Sequence, residues 1–363
     1  MEDNQMSTQQ IKLEQLGWNP WFDGLLALQG QPLESAARVA AVDREQLLLM
    51  NSTGLFRARL SGSYLHHNRR PEAFPCVGDW VCVEKGPQDE VGLIHSLLDR
   101  RTSLQRKAVG SAGEAQMIAA NLDYVIIVQS CHFDFNLNRL ERYLVMVMQG
   151  GAEPVILLTK TDLIEPGQLA ELRSRIDNAG IVAPVLTLST ITGQGIDELK
   201  QLLVPGKTYC FVGSSGVGKS TLINALAGGS RLATQTVSAS GEGRHTTVRR
   251  ELLLLDNGAL VIDNPGMREF GILDAADGMA SGFSDITGHA AQCRYRDCSH
   301  TSEPGCAVLA ALATGEINQA HYDNFLKLQS ESAFYQLSHA EKRKKDRDFG
   351  KFIKSVKKDL VRE

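Results

Sequence analysis

Between Gly54 and Leu60 apolar and charged residues alternate, with Phe56, Ala58 and Leu60 on one face and Arg57 and Arg59 on the other. A period of two is that of a half-buried strand. Asp79–Val83 and Val91–Ile94 read as further short strands, separated by turns that contain Gly and Pro. Several short strands within residues 35–108 predict a small β-barrel of OB-fold type, a class that often binds oligonucleotides on one face. Residues 1–34 form an N-terminal extension in which Trp18, Trp21 and Phe22 stand among polar residues, suited to docking but without a motif.

Beyond Lys107 strands and helices alternate, the mark of a parallel α/β sheet. Tyr124–Val128, Pro154–Leu158, Pro184–Leu188 and Thr208–Val212 are apolar runs of buried-strand type. Helical spacing follows them over Asn136–Gln149, Gln168–Asn178, Gly195–Leu203 and Lys219–Ala227. Glu251–Leu255 and Leu260–Ile262 flank Asn257-Gly258, a strong hairpin signal. The expected division is an α/β domain over residues 109–275, a helical domain over 276–340 and a basic tail over 341–363.

A chain of 363 residues suits two or three domains. With 43% hydrophobic and 22% charged residues it has the composition of a soluble globular protein, and no apolar run approaches the length of a membrane span. The polar, acidic start Met1-Glu-Asp-Asn-Gln is unlike a signal peptide, and seven cysteines, an odd count, suit a reducing compartment, so a cytoplasmic location is expected. A net charge of −4 argues against a surface that coats nucleic acid throughout. Two basic clusters remain, Arg100, Arg101, Arg106 and Lys107, and the stretch from Lys342 to Lys358; each is either a solvated face or a place for RNA.

Gly213-Ser214-Ser215-Gly216-Val217-Gly218-Lys219-Ser220, followed by Thr221, is a phosphate-binding loop between an apolar strand and a helix. Its glycines let successive backbone N–H groups face phosphate oxygens, and the helix N-terminus favours negative charge. Lys219 is the expected partner of the β- and γ-phosphates, and Ser220 of Mg²⁺. Asp263-Asn-Pro-Gly266 closes another strand and fits the DxxG element, in which Asp263 holds Mg²⁺ through its water shell and the Gly266 N–H meets the γ-phosphate.

The base is read from Thr159-Lys160-Thr161-Asp162, which resembles the NKxD element. A carboxylate at Asp162 accepts from the N1–H and N2 amino group of guanine, a pair adenine does not offer, and the Lys160 stem packs along the ring. Ser189 and Thr190 follow the next strand, where backbone N–H groups can bind O6. GTP is therefore favoured over ATP, whereas a P-loop kinase or ATPase would bind ATP at least as well. Thr159 stands where asparagine is usual, and fewer bracing bonds and weaker affinity are expected from it.

Cys293-x4-Cys298-x-His300-x5-Cys306 offers three sulfurs and one nitrogen, the donor set of a closed structural Zn²⁺ site. Arg294, Tyr295 and Arg296 inside its first loop suit an RNA-facing surface or ordinary surface decoration.

The guanine elements precede the phosphate loop and DxxG comes last, so the domain is read as circularly permuted relative to Ras-like proteins. A permuted nucleotide domain, a preceding OB-like barrel and a late Cys/His cluster resemble the RsgA (YjeQ) family of ribosome small-subunit-dependent GTPases, over about residues 35–330. The resemblance implies a GTP hydrolase using GTP/GDP, Mg²⁺ and one structural Zn²⁺. It also implies a partner in the small ribosomal subunit and its rRNA, in whose late assembly the chain assists, with turnover stimulated by the subunit. No membrane association is expected, and a monomer is. Met267 occupies the position of the usual water-orienting glutamine. Gly243-Arg-His-Thr-Thr247 resembles the family's switch I element, which makes His245 the candidate for positioning water and Thr246 or Thr247 the sensor of Mg²⁺ and γ-phosphate; contact of His245 with RNA or solvent is the alternative. A second reading keeps GTP as a structural ligand of an RNA-binding assembly placeholder.

Overall fold

The protein is described by a computed structural model over residues 11–43, 45–107, 115–227, 250–264 and 276–336. The candidates His245, Thr246, Thr247, Gly266 and Met267 and the basic tail lie outside the described residues.

Strands β1 (Ala36–Val42), β2 (Leu47–Asn51), β3 (Gly54–Leu60), β4 (Trp80–Glu84) and β5 (Val91–Leu97) run in the order β1-β2-β3-β5-β4, and β4 returns to pair with β1. The barrel is therefore closed, with β3 and β5 parallel and its other pairs antiparallel. Ala58 is wholly buried beside Phe56 and Leu60, the face that the alternation predicts. Before the barrel, helix α1 (Pro20–Leu28) and the turn ahead of it bury Leu16, Trp18 and Phe22. Trp18 meets Trp80 edge-on at 4.7 Å, so this segment of the extension docks on β4.

Two arginines of the first basic cluster are paired with carboxylates. Arg100 makes two 2.8 Å bonds to buried Asp79 and donates to the carbonyls of Glu72 and Phe74. Burial works against its charge, yet the Asp79 bonds hold its pKa above the ordinary arginine value. Arg101 pairs with Asp123 at 2.6 Å, and Arg106 donates to Gln116. Both Arg106 and Lys107 belong to the hairpin of β6 (Ser103–Lys107) and β7 (Ala115–Ala120).

The nucleotide domain follows as β8 (Tyr124–Ser130), β9 (Glu153–Thr159), β10 (Val185–Thr187), β11 (Thr208–Val212), β12 (Glu251–Leu254) and β13 (Leu260–Asp263). Their order is β10-β9-β8-β11-β13-β12, parallel throughout except for the hairpin partner β12. Val125–Val128, Ile156–Leu158 and Tyr209–Val212 are fully buried, which is why their sequences are unbroken apolar runs. Both sheets join, because Ala41 of β1 pairs with Glu251 of β12.

Between β8 and β9 lies a helix (Leu137–Gln149) capped by the Asn136 side chain. The C-terminal helices Ala276–Gly282, Ser284–Ala290, Ala307–Thr314 and Gln319–Gln336 pack around Phe283, Ile286, Val308, Phe325 and Leu328, with Val145 of that earlier helix in the same cluster. Among the described residues no helix is long and apolar enough to cross a membrane.

Candidate nucleotide site and metal centre

All the candidate nucleotide residues that are described stand at the carboxyl ends of parallel strands, where open α/β sheets bind ligands. Thr159 ends β9, Ser189 follows β10, Gly213 follows β11 and Asp263 ends β13. A cavity of about 480 Å³ is lined by Thr159, Lys160, Asp162, Thr190, the loop from Ser215 to Thr221, and two apolar side chains, Leu163 and Ile191.

The loop has its shape because it is glycine where side chains would collide. Gly213 has φ +144°, and a Cβ there would fall 2.2 Å from the Val128 carbonyl oxygen of the neighbouring strand. Gly216 and Gly218 also have positive φ, at +82° and +102°. Val217 anchors the loop by burying its side chain, and Leu222 and Ile223 of the following helix (Lys219–Leu226) bury against the same cluster. Lys219 Nζ donates to the Gly213 and Ser214 carbonyls, both at 2.6 Å. Burial lowers its pKa, opposed by the charges of Asp263 and Asp134. Ser220 and Thr221 are exposed at the helix start.

Thr159 is buried, and its hydroxyl donates to the Val217 carbonyl at 2.7 Å, with the Gln129 carbonyl at 3.3 Å as a weaker second acceptor. Thr159, from which fewer bracing bonds than asparagine are expected, thus makes one directly to the phosphate loop. Lys160 sits in the left-handed region at φ +60°, Asp162 is exposed in the cavity, and the buried Thr161 hydroxyl has no hydrogen-bond partner among the described residues. Ser189 is fully buried; its Oγ accepts from the N–H groups of Ile191 and Thr192, which closes the turn after β10. Gln129 was not singled out by any motif. Its side chain accepts from Asn136 N–H at 3.0 Å and donates to the Asn136 carbonyl at 3.2 Å, fixing the turn beside β8.

The donor atoms of Cys293, Cys298, His300 and Cys306 all lie within 4.8 Å of one another. Cys293 Sγ is 3.8 Å from Cys306 Sγ, and His300 Nδ1 is 3.6 and 3.5 Å from those two sulfurs. A tetrahedral Zn²⁺ with ordinary Zn–S and Zn–N bonds sets S···S and S···N edges of about 3.8 and about 3.6 Å, so the donor set fits that ion. The turn that presents His300 has φ +62° and is held from two sides. Tyr322 Oη donates to the His300 carbonyl at 2.6 Å, while the Glu303 carboxylate accepts from Ser299 N–H and Oγ and from the N–H groups of Thr301 and Ser302. Those bonds, the Ser299 hydroxyl first, hold the Glu303 pKa down at about 2.

Comparison with known proteins gives this geometry its family. The family model described as RsgA GTPase matches residues 97–273. The small ribosomal subunit biogenesis GTPase RsgA of Opitutus terrae is 43% identical over 340 residues, covering 89% of this chain and 90% of the relative. The chain belongs to the RsgA GTPase family. The RsgA 2 protein of Vibrio parahaemolyticus is 39% identical over 351 residues, covering 96% of this chain and 93% of its own. Among solved structures, YjeQ from Thermotoga maritima has a TM-score of 0.62 at 27% identity, covering 82% of this chain and 98% of that one. YloQ, described as a circularly permuted GTPase, has a TM-score of 0.59 at 25% identity, covering 84% and 96%. As an RsgA GTPase the chain is a GTP hydrolase, and its strand order is that of a permuted nucleotide domain.

Proposed function

We propose that this GTPase binds the small ribosomal subunit and assists its late maturation, hydrolysing GTP faster when the subunit is bound. The observation that carries the reading is the convergence of Ser215–Thr221 of the phosphate loop with Thr159, Lys160, Asp162 and Thr190 on one cavity, in a chain whose relatives are named small ribosomal subunit biogenesis GTPases.

Each residue then has a role. Asp162 accepts from the guanine edge, Lys160 lies along the ring, and the Thr190 N–H meets O6. The N–H groups of Gly213–Lys219 cradle the phosphates, and Lys219 exchanges its two loop carbonyls for phosphate oxygens. Thr221 closes the cradle at the helix start. Ser220 and Asp263 hold Mg²⁺, which supplies charge neutralisation at the β- and γ-phosphates when bound. Gly266 and Thr246 or Thr247 sense the γ-phosphate, and His245 positions water. Zn²⁺ on Cys293, Cys298, His300 and Cys306 fixes the C-terminal unit that, with the barrel, contacts ribosomal RNA. In this reading the barrel spans residues 35–108, the nucleotide domain 109–275 and the zinc domain 276–340, and the protein works as a cytoplasmic monomer.

Co-sedimentation with purified small subunits tests the partner. Retention with a non-hydrolysable GTP analogue and release with GDP are expected; equal pelleting with either nucleotide, or none, contradicts the reading.

A further inference from the structure

Four non-glycine residues among those described have positive φ, and three of them have evident work. His300 belongs to the candidate zinc donor set and Lys160 to the guanine motif. Asn121 accepts from the Arg101 N–H at 2.9 Å and donates to the Gly78 carbonyl at 3.1 Å through its side chain. The fourth is Phe133, at φ +66° in the turn after β8. Left-handed backbone is costly for a bulky side chain and persists only where the surroundings impose it.

Here they do impose it. Buried Ser130 donates its hydroxyl to the His132 carbonyl at 2.8 Å and accepts from the His132 N–H at 3.2 Å. Cys131 N–H donates to the Thr159 carbonyl at 2.9 Å, which sets the turn against the guanine motif. On the other side of Phe133, Arg139 pairs with the Asp134 carboxylate at 2.9 Å and donates to the Asp134 carbonyl. Arg175 lies 4.9 Å over the Phe135 ring, and Gln129 fixes Asn136.

This frame holds out a ring. Phe133 is 96% exposed, more than any other large apolar side chain among those described, and the His132 ring leans on it at 3.7 Å. Leu163 and Ile191 are also exposed at the carboxyl ends of the strands, but they line the nucleotide cavity, where a bound base would cover them. Phe133 lies outside that cavity. A second copy of the chain is a poor occupant, because a stable interface covers about 800 Å² per partner and one ring offers about 200 Å². Its neighbours Asp134, Asn136 and Asn138 are polar, and two arginines stand at the turn against one carboxylate. A single ring in such a setting suits a nucleobase, whose face stacks on an aromatic while cationic groups attract the phosphate backbone.

We propose that Phe133 is a stacking platform for an unpaired nucleobase of ribosomal RNA in the bound small subunit. The proposal rests on the small-subunit reading. It adds an RNA contact on the nucleotide face of the sheet, apart from the barrel and the C-terminal unit.

The test measures the affinity of the full-length, zinc-loaded chain for purified small subunits, with a non-hydrolysable GTP analogue, across four substitutions. Phe133→Ala should lose about 5- to 150-fold, the usual effect of removing one base–aromatic stack. Phe133→Leu should lose about as much, because it keeps apolar bulk without a ring, while Phe133→Trp holds the affinity. Phe133→Gly should bind as weakly as Phe133→Ala and yet melt no lower than the parent, since glycine adopts positive φ without strain. Unstimulated GTP turnover should match the parent in all four. Ultraviolet cross-linking of the parent complex should place a nucleotide on the peptide that contains His132 and Phe133. Equal affinity of Phe133→Ala and the parent overturns the proposal, as does a cross-link map with nucleotides on other peptides and none on this one. Full affinity in Phe133→Leu with loss in Phe133→Trp also overturns it, because the occupant is then an apolar protein pocket. Failure of the unmodified chain to bind the subunit is a separate result, which removes the small-subunit reading and this proposal with it.

Discussion

The hydroxyl of Thr159 donates to the carbonyl of Val217 across 2.7 Å, joining the end of β9 to the middle of the phosphate loop. A residue that departs from the usual guanine motif therefore keeps the bracing for which asparagine is used. One short hydrogen bond thus joins the candidate guanine motif to the phosphate loop, and Thr159 and Val217 are both buried.

Thr159→Val keeps the shape of the side chain and removes the donor. An unpaired buried carbonyl costs about 1–3 kcal/mol, so GDP and GTP affinities should fall by about tenfold. Thr159→Asn should hold affinity near that of the parent. Titration calorimetry with GDP checks both, and a fully retained affinity in Thr159→Val would show that the bond does not hold the loop.

Asp162→Asn should weaken GDP binding and improve binding of xanthosine diphosphate, whose ring offers an acceptor where guanine offers a donor. Competition between the two diphosphates on one preparation gives the comparison. Unaltered preference would remove Asp162 from the base site.

Gly213→Ala should abolish nucleotide binding while leaving most of the secondary structure. The new methyl would lie 2.2 Å from a carbonyl that belongs to the central strand β8, which has no room to retreat. Fluorescence of a labelled GDP together with circular dichroism separates a lost site from a lost fold.

The C-terminal helices are held to the nucleotide domain by His321, whose Nδ1 and Nε2 face Glu141 at 2.5 Å and Asp285 at 3.1 Å. Burial opposes its charge, but the hydrogen bonds to Asp285 and Glu141 raise its pKa to about 9. A folded pKa above the unfolded value means that the stabilisation is complete below about pH 6.5. It is lost as pH rises through 9. Thermal unfolding midpoints should fall between pH 7 and pH 10, and Glu141→Gln should flatten that slope. A slope unaltered by the substitution would assign it to other groups.

Removal of zinc should unfold the C-terminal unit and spare the nucleotide site. Cys306 both caps the Ala307–Thr314 helix and lies buried among Phe325 and its neighbours. If Cys293, Cys298, His300 and Cys306 hold zinc, Cys306→Ser should carry none by atomic absorption while the parent carries one, and it should keep GDP binding.

Much of the nucleotide domain is legible in the sequence because its strands are buried on both faces and read as unbroken apolar runs. Thr208–Val212 has the same limits in sequence and structure. The barrel is less legible. Strand β1 carries Arg38 in the middle of an alanine-rich stretch, and only the fold shows that three backbone carbonyls accept its charge. Strand β2 begins as a run of three leucines with no alternation, since Leu47–Met50 are buried throughout. Arg100 and Arg101 look like an open basic patch because their partners, Asp79 and Asp123, stand more than twenty residues away in sequence. In the site, motif spacing finds Thr159–Asp162 and Gly213–Ser220. It does not find Gln129, whose work is to hold a backbone turn, a task that leaves no pattern in neighbouring residues.

GTP turnover with and without purified small ribosomal subunits tests the central claim most directly. Slow hydrolysis alone, accelerated in proportion to bound subunit and abolished with Gly213→Ala, is the predicted result. The same rate with and without subunits would contradict the proposed function while leaving the nucleotide site as described.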